Sequence, residues 1–169
     1  METGSTLAAQ YLNSGILPNG SSFGLVSKFA AAVLSGRVGY IAYPIFLAFA
    51  NHGNLPYRML VQNMIRKLIG EPLLKVQGPS SLEATVMRQP SGRTMVHLLN
   101  YCPERRTPKL DIVEDIVPLF DLPLSLKLAK KPKRVYLAPQ ETQLDFEYAD
   151  GRVSVIVPKV EGHQMIAFV

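Results

Sequence analysis

The sequence predicts an α+β protein in which a partial α/β unit is followed by an antiparallel, Ig-like β-sandwich. The spacing of apolar residues is helical in the first part of the chain and changes to a period of two near Leu73. Beyond Leu73, alternating segments recur at intervals of roughly ten residues, with turn residues between them. We therefore expect two regions, 29–72 and 73–169. Residues 1–28, rich in Gly, Ser and Asn, are predicted to be a loosely ordered lead-in.

The longest apolar stretch runs from Phe29 to Ala50 and is long enough to be considered as a membrane-spanning helix. Its interior disfavours that interpretation, because Arg37 would lie near the middle of the bilayer at a cost of about 2.5–3.5 kcal/mol. Gly36 and Pro44 also interrupt the run. A helix, a turn at Ser35-Gly36 and a buried strand explain the same residues without placing a charge in lipid.

The segment Arg37–Phe46 is apolar on both faces, as expected for a strand that is covered on both sides of a sheet. After a turn at Asn51-His52-Gly53, Asn54 can cap a helix that ends before Gly70. Helical spacing gives this helix an apolar face, formed by Leu60, Val61, Met64, Ile65 and Leu68. One strand cannot form a parallel sheet, so we predict that 29–72 is the last piece of a larger α/β domain.

Alternating apolar residues mark the strands of the second region, which are Leu82/Ala84/Val86, Leu124/Leu126/Leu128, Val135/Leu137, Leu144/Phe146/Tyr148, Val153/Val155/Val157 and His163–Val169. Gln89-Pro90-Ser91-Gly92 suits a type I turn with a glycine bulge, and Asp150-Gly151 is a strong signal for a two-residue hairpin. We expect residues 73–169 to form a complete β domain.

Composition excludes several classes of function. With 47% hydrophobic and 18% charged residues, the chain is too apolar to be disordered, and it is expected to carry apolar surface that binds a partner. The single cysteine, Cys102, rules out an internal disulfide, and the three histidines lack the spacing of metal ligands. There is no phosphate-binding glycine loop and no GxSxG motif, so we predict no cofactor and no metal. The N-terminus lacks the pattern of a signal peptide, so the bacterial cytoplasm is expected.

Two acids, Glu114 and Asp115, lie in the apolar segment Leu110–Leu119, on opposite faces of a predicted strand. If the preceding hairpin aligns Tyr101 with the first residue of that segment, antiparallel register places His97 opposite Glu114. We interpret His97 and Glu114 as a partly buried polar pair with a structural role, or the segment as a strand end at which one acid reaches water. General acid–base catalysis and a contact between domains or subunits are the alternatives.

The net charge is +5, and much of the positive charge lies in one turn, which contains Lys127, Lys130, Lys131, Lys133 and Arg134. We interpret this turn as a solvated hairpin tip whose charge protects a sheet edge. Contacts with nucleic acid phosphates are an alternative, which ranks last because no aromatic residues are interleaved with the cations. Tyr101, Arg105 and Arg106 place an aromatic ring beside cations, a pattern that is most typical of a surface loop.

Four stretches of the chain are similar to a known family: AAVLSGRVGYIAYPIF, LIGEPLLKVQGPSSLEATVMRQ, GRTMVHLLNYCPERR with DIVEDIVPL, and VPKVEGHQMIAF. The pieces HLLNY and VEGHQM are the most specific. Together these stretches resemble the C-terminal part of large bacterial glycoside hydrolases of the β-galactosidase-like or α-L-fucosidase-like type. In that family, a catalytic (β/α)₈ barrel is followed by a flavodoxin-like trimerisation domain and a small β domain.

The resemblance implies a supporting role for this chain. The catalytic carboxylates of the family belong to the barrel, so no residue here is assigned to catalysis. Residues 29–72 would end the flavodoxin-like trimerisation domain, and residues 73–169 would be the terminal sandwich. We expect packing against the catalytic barrel or neighbouring subunits in a homo-oligomer, without nucleic acid or membrane partners. The alternative is a carbohydrate-binding sandwich in which Tyr101, His97 or Tyr148 contacts a sugar.

Overall fold

The computed structural model describes residues 9–13 and 25–169. The chain divides into two compact units, Met1–Glu71 and Pro72–Val169. This division lies one residue before the boundary expected from the change in hydrophobic period.

The first unit contains an antiparallel sheet and two helices, in the order β1 (Ala9–Asn13), β2 (Leu25–Ser35), β3 (Val38–Ile41), α1 (Ile45–His52) and α2 (Leu55–Ile69). β2 is the central strand and pairs with β1 and β3. A two-residue turn joins β2 to β3, with Ser35 opposite Val38 and Gly36 at a φ of 55°. Glycine adopts this left-handed conformation without a steric penalty, which permits so tight a connection.

Three elements predicted for this unit differ from the structure. The residues before Ser35 form a strand and not a helix, and the predicted strand Arg37–Phe46 is shortened to β3, which is mostly exposed. Helix α1 occupies residues for which a strand end and a turn were predicted. Alanine favours a helix locally, but pairing on both sides satisfies the backbone of β2 and overrides that preference.

The described sheet of the first unit is antiparallel throughout, so a flavodoxin-like unit, which requires parallel strands, is not confirmed. The lead-in prediction for residues 1–28 is wrong for Ala9–Asn13 and for the start of β2, because these residues are paired strands. The remainder of that segment lies outside the described residues.

Helix α2 confirms the predicted helix. Asn54 precedes it and Gly70 ends it, with the Gly70 N–H donating to the Arg66 carbonyl at 3.0 Å. Asn54 occupies the capping position, but its side chain makes no capping hydrogen bond. Within the described part of the chain, neither this helix nor α1 is long and apolar enough to span a membrane.

The second unit is built of antiparallel strands: β4 (Leu74–Val76), β5 (Leu82–Arg88), β6 (Thr94–Asn100), β7 (Glu104–Thr107), β8 (Leu110–Ile112), β9 (Leu119–Lys127), β10 (Val135–Ala138), β11 (Thr142–Gln143), β12 (Phe146–Ala149), β13 (Arg152–Val160) and β14 (Gly162–Phe168). One sheet has the order β11-β10-β14-β6-β5 and the other the order β12-β13-β9-β4. β7 and β8 form a separate two-stranded hairpin.

The predicted alternation of apolar residues is confirmed, because the inner faces of the two larger sheets share one core. Its fully buried members are Val96, Leu98, Val135 and Ile166 from the five-stranded sheet, and Leu124, Leu126, Val153, Val157 and Val160 from the four-stranded sheet. The Asp150-Gly151 hairpin is confirmed as well, with φ values of 50° and 72° that match the turn type favoured by this dipeptide.

A buried amide ties the irregular segment after β8 to the core. Asn100, at the end of β6, is 2% exposed. Its Oδ1 accepts a hydrogen bond from the Ser81 hydroxyl at 2.9 Å, and its Nδ2 donates to the Val117 carbonyl at 2.9 Å. Because both ends of the amide are bonded, its burial carries no desolvation penalty from an unpaired group.

We expect Leu126→Ala to lower the free energy of unfolding by about 2–5 kcal/mol, because Leu126 is fully buried where the sheets meet. Ile156→Ala is the matched control, since this side chain on β13 is 52% exposed and should change stability by about 0.5 kcal/mol or less. Urea unfolding followed by circular dichroism measures both. Equal losses in the two variants would contradict the assignment of inner and outer faces.

Candidate functional site

The first unit carries an apolar groove of about 520 Å³, and β3, α1 and α2 line it. None of the lining residues is charged: they are Gly39, Ile41, Tyr43, Pro44, Ile45, Phe46, Leu47, Val61, Met64, Ile65 and Leu68. Ile45 and Met64 are buried at 3% and 8% exposure, whereas Phe46 is 73% exposed and Leu47 60%. The groove therefore has a packed base and an open apolar rim.

The exposed apolar surface extends beyond the groove. Val38 and Tyr40 on β3 and Ile69 at the end of α2 are each more than half exposed. Val38 and Tyr40 alternate with Gly39 and Ile41, so they lie on the face of β3 opposite the groove. Exposed apolar side chains that cluster around a groove mark a binding surface, because covering them with a partner lowers the free energy. We call the surface formed by the residues that line this groove the helical surface.

Gly39 brings β3 close to α2. A Cβ placed at Gly39 would lie 2.9 Å from Cε of Met64 and 3.1 Å from Cδ1 of Leu68. Only glycine therefore lets the strand approach the helix this closely without displacing side chains. This contact holds the base of the helical surface together.

In the second unit, His97 on β6 pairs with His163 on β14. Nδ1 of His97 and Nε2 of His163 are 3.1 Å apart, and the ring planes differ by 8°. One nitrogen must carry the hydrogen and the other must accept it, so this contact requires at least one neutral ring. Sequence analysis missed His163 as a partner, because the two residues meet only when β14 pairs with β6.

The structure does not bring His97 and Glu114 together, so the predicted polar pair is wrong. β6 is an interior strand with β5 on one side and β14 on the other, which leaves no edge for the Glu114 segment. The hairpin aligns Thr107 with Leu110 instead of Tyr101 with Leu110. Glu114 instead pairs with the exposed Arg106, and Asp115 is exposed on the same segment.

The three predicted sugar-contacting residues do not form one site. Tyr148 lies on the other sheet from His97, packs against the core, and donates its hydroxyl to the Leu128 carbonyl at 3.1 Å. Tyr101 is 42% exposed after β6, close to Gly162, where a Cβ would meet its hydroxyl at 2.9 Å. One sugar cannot contact all three side chains in this arrangement.

Two cations of the basic turn lie over aromatic rings. The Lys131 ammonium is 6.0 Å from the centre of the Phe146 ring, and the Arg134 guanidinium is 4.3 Å from the centre of the Tyr136 ring. Arg93 also donates to the Tyr136 hydroxyl at 2.9 Å. Both cations therefore have aromatic partners. Phe146 belongs to another strand than the one that follows the turn, whereas Tyr136 lies only two residues after Arg134.

No group of three or more His, Cys, Asp or Glu side chains could hold a metal ion in the part of the chain that the structure describes. Cys102 is free and exposed. The helical surface is the candidate binding site of the described residues.

We expect Gly39→Val to destabilise the first unit by about 1–3 kcal/mol, because the branched side chain would collide with Met64 and Leu68. Gly36→Ala should also destabilise through its left-handed backbone, but without a collision, since nothing lies within 4 Å of a Cβ there. Hydrogen exchange of α2 amides separates the two effects. Unchanged α2 protection in Gly39→Val would contradict the close contact.

No protein-family model matches the chain, and neither does any curated protein. Among solved structures, the chain is similar to α-L-fucosidase isoenzyme 2 from Paenibacillus thiaminolyticus, with a TM-score of 0.80 and 33% sequence identity. The match covers 88% of this chain and 23% of that protein. The chain is therefore related to part of a glycoside hydrolase, which confirms the predicted relation at this level.

Proposed function

We propose that the chain is a non-catalytic accessory fragment from the C-terminal part of an α-L-fucosidase-like or β-galactosidase-like glycoside hydrolase. Its role is domain packing and oligomerisation, and its proposed location is the bacterial cytoplasm. The observation that carries the proposal is the helical surface, which is apolar, uncharged and largely exposed. The similarity to one part of a fucosidase supports it.

The energetics favour a covered surface. Burying one exposed Phe or Leu side chain contributes about 1.5–3 kcal/mol, and Phe46 and Leu47 are neighbours on the same helix. The match spans 23% of the fucosidase chain, so the catalytic barrel and neighbouring subunits are the proposed partners. Obligate interfaces between subunits bury surfaces of this apolar kind.

We further propose that residues 29–72 derive from the end of a trimerisation domain. Large doubly wound sheets often carry an antiparallel strand at the edge of an otherwise parallel sheet. The hairpin of β2 and β3, followed by α1 and α2, fits such an edge. In that position, the helical surface would pack against the rest of that domain or against a neighbouring subunit.

We expect the isolated chain not to hydrolyse 4-nitrophenyl α-L-fucoside or 4-nitrophenyl β-D-galactoside. The two acids that sequence analysis singled out face no partner suited to acid–base catalysis, since Glu114 pairs with Arg106 in an exposed hairpin. Release of nitrophenolate by purified protein measures this. Turnover that is abolished by Glu114→Gln or Asp115→Asn would overturn the proposal.

We expect the double variant Phe46→Ser, Leu47→Ser to weaken binding through the helical surface by about tenfold or more, because two exposed apolar side chains are lost. Two measurements read this out: light scattering for self-association, and binding to the similar fucosidase produced without its matched segment.

Ile156→Ser is the control, since it removes an exposed apolar side chain from the second unit. If the unaltered chain neither self-associates nor binds the shortened fucosidase, the packing role is wrong. An equal effect of Ile156→Ser would also contradict it, because the loss would then not depend on the helical surface.

A further inference from the structure

The second unit has a cleft of about 590 Å³ at one open end of the sandwich. Residues of both larger sheets line it. The cleft lies over the buried core residues Leu126 and Phe168, and the partly buried Val86 of β5 gives its floor an accessible apolar side chain. Leu73 and Leu128 extend this apolar floor toward solvent.

Four cations surround the cleft: Arg88, Lys127, Lys130 and Lys131. Its lining residues include no aspartate or glutamate, and the one carboxylate there is that of Val169, the last residue of this chain, which accepts hydrogen bonds from the Lys133 and Arg134 N–H groups. Arg105, Arg106 and Lys159, which lie outside the cleft, pair with carboxylates at 4 Å or less. Positive charge concentrated in a concave, low-dielectric surface attracts anions more strongly than the same charge on a convex tip.

The grouping arises from the fold and not from the basic turn alone. Arg88 comes from the end of β5, whereas Lys127 ends β9 and Lys130 and Lys131 follow it. Because Arg88 lies on the inner face of β5, it faces the turn after β9 across the space between the two sheets. Sequence analysis assigned the turn to a solvated hairpin tip, and Arg88 was not part of that assignment.

Shape and chemistry together define the class of ligand. The volume lies within the range of about 300–1,000 Å³ that is typical of small-molecule sites. The apolar floor fits the C–H face of a ring, and the rim supplies charge-assisted donors, including a guanidinium that can bind a carboxylate or sulfate with two hydrogen bonds. A compact ligand with an apolar face and anionic substituents matches both features.

We propose that this cleft binds an acidic saccharide of one or two sugar units that carries carboxylate or sulfate groups. The preference for an anion rests on the four cations of the cleft. The choice of a saccharide rests on the proposed function, in which the chain belongs to a glycoside hydrolase. Binding is expected to weaken as ionic strength rises.

Isothermal titration calorimetry of the whole chain tests the proposal, with a sulfated, uronate-containing heparin disaccharide as the probe. Lactose serves as the neutral disaccharide, sodium sulfate as the bare anion, and a decathymidylate oligonucleotide as the nucleic acid. We expect the heparin disaccharide to bind at least about tenfold more tightly than lactose or sulfate.

The cleft variant is Arg88→Gln, Lys127→Gln, which removes two charges from the rim. The matched control is Lys109→Gln, Lys159→Gln, which removes the same net charge from exposed positions outside the cleft. We expect the cleft variant to weaken disaccharide binding by about tenfold or more, with the control within about twofold. Unchanged circular dichroism and thermal midpoints establish that both variants fold.

Four outcomes would overturn the proposal: no disaccharide binding, equal binding of lactose, binding no tighter than sulfate, or equal losses in the cleft and control variants. If the oligonucleotide binds more tightly than the disaccharide, and the cleft variant loses that binding, the cleft is a nucleic acid site and the saccharide proposal is wrong. Packing through the helical surface is measured with different variants, so failure here leaves that proposal standing, and the reverse also holds.

Discussion

The contact between the inner faces of two antiparallel sheets is the constraint on which the second unit depends. Each sheet presents one apolar row, and the two rows exclude water when Leu98 and Ile166 meet Leu126 and Val153. Because side chains alternate along a strand, this contact also decides which residues face outward. His97 and His163 are placed together on the outer side of the five-stranded sheet for this reason.

The edges of the sandwich are held by specific polar contacts. Arg152 donates to the Ser125 hydroxyl and carbonyl and to the Pro72 carbonyl, which links β13 to β9 and to the start of the unit. Asn100 performs a similar role at the other sheet through Ser81 and Val117. These bonds join segments that are distant in the sequence, so they form only after the sheets have assembled.

In the described residues of the first unit, no second sheet packs on the first as it does in the sandwich. Its buried apolar residues are few, namely Ala31, Ala32, Ile45 and Met64 among those described, whereas several larger apolar side chains remain in water. A sheet and two helices bury one face against each other and leave the next face open. The second unit buries its apolar faces against each other, whereas the first unit leaves apolar side chains exposed that a larger protein can cover. The proposed function follows from this difference.

The sequence by itself determined the local features. The period of two predicted the strands of the sandwich, the Asp150-Gly151 pair predicted its hairpin, and the apolar spacing with Gly70 predicted α2. The quoted motifs were sufficient to indicate the relation to glycoside hydrolases. Signals of this kind lie within a few adjacent residues and act through backbone conformation and the face that each side chain occupies.

Only the tertiary structure decided which distant residues meet. In the structure, the alanine-rich segment before Ser35 is the central strand of a sheet, although a helix was predicted there. The partner of His97 is His163 and not the predicted Glu114. The fold also brings Arg88 to the cations of the β9 turn. Strand pairing over long sequence separations is set by how whole apolar faces fit together, and a shift of one residue would reverse every face, so local sequence cannot specify these contacts.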